Sequence, residues 1–97
     1  MAISPRENAI AVAVAAAIAY KVRMAVYTGG WDYNSYTVEL SQYSYNEIEA
    51  VCAALSRDRF NPFKMTCFPI LGDKSKGIEI RTDIGALSAL IIVWFNA

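Results

Sequence analysis

No histidine occurs anywhere in the sequence. The commonest general base and the commonest metal ligand are therefore missing together. A serine nucleophile would need a lysine or a terminal amine as its base, and no pattern in the chain sets one beside a serine. Cysteine is scarce as well: Cys52 and Cys67 stand alone, too few for a disulfide framework and too isolated for a metal cluster. Each falls on the apolar side of a regular element, Cys52 in a helical pattern and Cys67 in a strand pattern. Two buried free thiols are expected rather than a disulfide, with their pKa raised by apolar surroundings, which favours a reducing compartment.

An excess of positive charge is also absent. Nine Lys and Arg balance nine Asp and Glu, and the sequence pI is about 6.2. No general field attracts a phosphate backbone, and no Lys or Arg lies between Arg23 and Arg57, where the aromatics are densest. A nucleic-acid partner is not expected. Gly72 and Gly77 carry the glycine spacing of a phosphate loop, but Ile78-Glu79 follows where Lys and Ser/Thr are required. Lys74 and Lys76 are then the solvated tip of a hairpin. Asp32, Glu39, Glu47 and Glu49 are surface carboxylates unless the fold pairs them. The sequence thus predicts no enzyme, no catalytic residues, no metal and no cofactor.

Long apolar runs are short of membrane length. Ala9 to Tyr20 is uninterrupted, but Lys21 and Arg23 close it below the ~20 residues a span needs. Arg6-Glu7-Asn8 before it is a poor start for a signal peptide. Membrane contact is not expected.

What remains is apolar and small. The 97 residues are 56% hydrophobic, with mean hydropathy +0.28, which is the composition of a folded chain. Residues 1–97 are read as a single domain, with an Ala-rich helix over 1–28 and a small α+β sheet unit over 31–97. A domain of this size buries only roughly 60 to 65% of its unfolded surface, so association is a common source of further stability.

Ser4-Pro5-Arg6-Glu7 is a capping box with proline at the first helical position. The helix it starts is predicted to run to Tyr27 and stop at Thr28-Gly29-Gly30. Ile10, Val14, Ile18, Val22, Val26 and Val12 occupy one broad arc; Ala9, Ala13, Ala16 and Ala17 occupy the other, extended by Tyr20 and Met24. A helix apolar on both sides is covered on both sides, so Ala9, Ala13, Ala16, Ala17, Tyr20 and Met24 are the candidate self-association face.

Tyr36 to Ser41 alternates and is predicted to be a strand, with Tyr36, Val38 and Leu40 inward. Ser44 and Glu47 form a second capping box, stapled by Tyr43 against Ile48. The helix that follows buries Ile48, Val51, Cys52 and Leu55. Residues 63–68 and 78–81 read as a hairpin, and Leu90 to Phe95 as a last strand buried on both faces. The expected fold class is α+β with a small mixed sheet, in the order helix, strand, helix, strand, strand, strand.

Tyr27, Trp31, Tyr33, Tyr36, Tyr43 and Tyr45 concentrate amphipathic rings in one stretch and are the candidate partner or ligand contacts. The function these features support is a small non-enzymatic protein that self-associates or joins a larger protein assembly, cytoplasmic or in a particle. A virion component or an inhibitor of a partner protein fits this description. The alternative is a small ligand-binding module built on residues 27–45.

Overall fold

The two capping boxes start the two long helices of the computed structural model, which describes residues 4–24, 35–84 and 87–95. Ser4 Oγ accepts from the Glu7 amide at 3.1 Å and Glu7 returns the bond to the Ser4 amide at 3.3 Å. Helix α1 (Pro5–Met24) follows, with proline at the position where an amide is not needed. Its predicted continuation to Tyr27 and its glycine stop lie outside the described residues. Ser44 and Glu47 repeat the exchange at 3.1 and 3.2 Å and open α3 (Tyr45–Arg57).

Between them lies α2 (Ser35–Leu40), and here the strand expected over 36–41 is overturned. Thr37 and Leu40 are buried, three residues apart, whereas Val38 is 61% exposed. The burial period is therefore near three and not two. Alternation over six residues fits both a strand and one and a half helical turns, so the pattern alone does not decide between them. As a helix, α2 continues into the bond from the Ser41 amide to the Thr37 carbonyl at 3.1 Å and lies against α1 and β3.

The sheet contains β1 (Lys64–Pro69), β2 (Gly77–Ile84) and β3 (Leu87–Trp94) in that order. Both pairings are antiparallel, with Cys67 opposite Ile80 and Ile80 opposite Ile91. The expected hairpin and last strand are present. The sheet is antiparallel and not mixed, because residues 36–41 contribute no strand and no crossover connection is required. A short 3-10 turn, Ile70–Gly72, joins β1 to the hairpin tip, where Leu71 and Gly72 both have positive φ. The architecture is α+β, with a long N-terminal helix, further short helices and a three-stranded antiparallel sheet.

One core unites these elements. Ile10, Val14 and Ile18 of α1, Leu40 of α2 and Ile48 of α3 meet Ile78, Ile80, Ile91 and Val93 of the sheet. A smaller group, Ile70, Leu90 and Ile92 with Trp94 beside it, forms on the opposite side of β3, so that strand is buried on both faces as its unbroken apolar run requires.

Candidate functional site

Helix α1 buries Ile10, Ala13, Val14, Ala17, Ile18 and Lys21. At 100° per residue these fall within an arc of roughly 140°, which is an ordinary amphipathic stripe. Ala13 and Ala17 are thus part of the chain's own core. Ala9 is exposed, Ala16 and Tyr20 are half-buried, and Met24 is the last residue of the helix. The outward face combines Ala9, Val12, Ala15 and Ala19, flanked by half-buried Ala11, Ala16 and Tyr20. Val12, at 61% exposure, is its most prominent apolar group. No charge interrupts this face between Asn8 and Ala19.

The aromatic set divides differently. Tyr27, Trp31 and Tyr33 lie outside the described residues, as does Asp32. Tyr36 and Tyr43 are half-buried against the main core, and Tyr45 is buried within it. Tyr43 lies under the Arg6 guanidinium, 4.8 Å from the ring centre, and Lys74 of the hairpin tip stands 5.0 Å from the Tyr45 ring. Burial, together with the charge and hydrogen bond of Glu49, pushes the Tyr45 hydroxyl up to about 12. Tyr43 and Tyr45 tie the start of α3 to Arg6 of α1 and to Lys74 of the hairpin tip.

Among the carboxylates, Glu39 is exposed on α2, and Glu47 is engaged by Arg6 through both guanidinium donors in contact with it, one bond being 3.2 Å. Glu49 is exposed and faces a cleft of about 460 Å³ between α3 and β1. Cys52 and Cys67 line the same cleft, both as free thiols. The Cys52 thiol is pushed up, first by hydrogen bonding to Cys67 and then by burial. Cys67 is shifted down by that hydrogen bond, so the expectation that both thiols would be raised is corrected at Cys67. The reason is the neighbouring thiol, which the linear sequence does not place. Among the described residues no three Cys, Asp or Glu side chains gather closely enough to hold a metal ion, and no helix is long and apolar enough to cross a membrane.

Three exposed apolar side chains were not among the sequence candidates: Phe60 at 81%, Leu71 at 80% and Phe68 at 40%. Phe60 follows the end of α3 and Leu71 sits in the turn after β1, so neither lies in a periodic segment that would reveal its face. Arg59 and Arg81 cover the rings of Phe60 and Phe68 at 4.9 and 5.0 Å. Compared with protein-family models, with curated proteins and with solved structures, the chain matches none.

Proposed function

We propose that this chain is a non-enzymatic assembly protein that associates with itself, or docks into a larger protein complex, through the outward face of α1. The supporting observation is the uncharged Ala9-Val12-Ala15-Ala19 surface, with Val12 largely bare on a helix whose other side is already committed to the core. Small side chains permit close helix packing, and covering them adds apolar burial to a domain that has little to spare. A component of a repetitive particle and an inhibitor of a partner protein both use such a surface, in the cytoplasm or within the particle. Among the described residues β3 is an edge strand, which offers a second route to association: none of its eight residues is charged and none is proline, the two residue classes that usually discourage edge pairing.

Sedimentation over a wide concentration range tests this. The wild-type chain should gain mass with concentration, and Val12→Glu should return it to monomer with little change in melting temperature. A chain that stays monomeric throughout rejects the proposal. Association that survives Val12→Glu transfers the contact to the β3 edge.

A further inference from the structure

The seam between α3 and β1 holds a pair of thiols that the assembly role does not use. Cys52 lies on the inward stripe of α3, four residues after Ile48, and is 1% exposed. Cys67 is two residues beyond Met65 on β1, therefore on the same face of the sheet, and is half-buried. Both pack in the main core and both line the α3–β1 cleft.

Ser56 fixes the two elements at this point. Its hydroxyl donates to the Cys52 carbonyl at 2.8 Å and accepts from the Met65 amide at 3.0 Å. One side chain thus binds the backbone that carries Cys52 to the strand that carries Cys67. Each thiol shifts the titration of the other, Cys52 upward and Cys67 downward, as expected of two thiols facing one cleft.

We infer that Cys52 and Cys67 form a dithiol couple that closes to an intramolecular disulfide across the α3–β1 seam when offered a small-molecule disulfide. The geometry divides the labour. Cys67 is reachable from the cleft and is held toward its thiolate by its neighbour, whereas Cys52 is shielded and remains protonated until the second step. The Cys67 thiolate attacks one sulfur of the small disulfide, whose S–S bond breaks and releases one thiolate, which takes a proton from water. Cys52 then gives up its proton and attacks the Cys67 sulfur, breaking the mixed disulfide and expelling the second thiolate. Two protein thiols are oxidised, and one small disulfide is reduced to two thiols. Glu49, which lines the same cleft, disfavours the thiolate at both cysteines and favours a cationic disulfide over an anionic one. The couple requires only one chain and is independent of self-association.

The test treats the intact native protein with cystamine, blocks remaining thiols with iodoacetamide, and measures whole-chain mass and non-reduced peptides. The expected product is a monomer that has lost two hydrogens, takes no iodoacetamide and yields a cross-linked Cys52–Cys67 peptide, all reversed by dithiothreitol. Cys67 should also react with a limiting thiol reagent at least about tenfold faster than Cys52. Cys52→Ala should stop at a stable mixed disulfide on Cys67. A wild-type chain that stops there too, that cross-links between chains, or that stays fully reduced overturns the assignment, and this readout does not depend on any variant folding.

Discussion

Arg6 in the first turn of α1 grips the carboxylate of Glu47 in the first turn of α3, across 41 positions of sequence. The same Glu47 accepts from the Ser44 amide at 3.1 Å, so one carboxylate completes the cap of its own helix and anchors the start of another. The Arg6 guanidinium also covers Tyr43, the residue that staples the entry to α3. Two local capping signals are thereby joined into one tertiary contact.

This contact makes stability sensitive to acid. Hydrogen bonding to Arg6, then to Ser44, holds the Glu47 carboxyl at about 2, below its ordinary 4.5. The folded state therefore binds its proton less readily than the unfolded state. The contribution is complete above about 4.5 and is lost as pH falls toward about 2. Urea midpoints measured across that window should decline for the wild type and decline less for Glu47→Gln. An identical acid slope in both proteins would remove Glu47 from this role. High salt should weaken the effect, since Arg6 is more than half exposed.

Much of the fold is legible because its signals are local. Ser4, Pro5 and Glu7, and again Ser44 and Glu47, announce helix starts within four residues, and the β-branched run before Trp94 announces a strand. The expected strand at Tyr36 to Ser41 was not resolvable in this way, since six residues cannot separate a period of two from one near three without knowing what lies beside them. Helix α1 posed a different difficulty. Sorting by side-chain size separates Ala13 and Ala17 from Ile10, Val14 and Ile18, but angular position unites them, and burial follows position. The candidate site was less legible than the fold: Phe60 and Leu71 lie outside regular elements, and the meeting of Cys52 with Cys67 depends on how α3 lies across β1.

The two faces of α1 should respond oppositely to substitution. Ala17 is fully buried, so Ala17→Leu inserts volume into the core that α1 shares with the other elements. A loss of about 2 kcal/mol is expected, in the range seen for overpacked cores. Val12→Glu on the outward face should change stability by no more than about 0.5 kcal/mol. Denaturant unfolding of both variants checks this, and equal effects would contradict the assignment of faces.

Thr82 is a buried residue whose hydroxyl Oγ1 has no hydrogen-bond partner among the described residues. It lies on the core face of β2, opposite Met65 on β1 and Ala89 on β3. Leaving a hydroxyl unpaired in apolar surroundings costs more than replacing it with a methyl group of similar shape. Thr82→Val should therefore stabilise the chain by about 1 kcal/mol, or roughly 5 °C in melting temperature for a domain of this size. A clear loss of stability would mean that the hydroxyl is satisfied.

Gly77 and Gly72 are both glycines of the hairpin, but they are required for different reasons. A Cβ on Gly77 would come within 2.2 Å of the Val93 carbonyl oxygen and 2.6 Å of Ile70 Cδ1. The Ile70 methyl can turn aside, whereas the carbonyl belongs to the β2–β3 pairing and cannot move without disturbing it. Gly77→Ala should cost at least about 2 kcal/mol. At Gly72 a Cβ meets nothing within 4 Å, and the constraint is the backbone, with φ of +72°. Gly72→Ala should cost about 1 kcal/mol through left-handed strain alone. Gly72→Asn should recover part of that loss, because asparagine tolerates this conformation, whereas Gly77→Asn should be at least as damaging as Gly77→Ala. Urea titration of the four variants separates steric from conformational demand, and recovery by asparagine at position 77 would show that space does not limit that site.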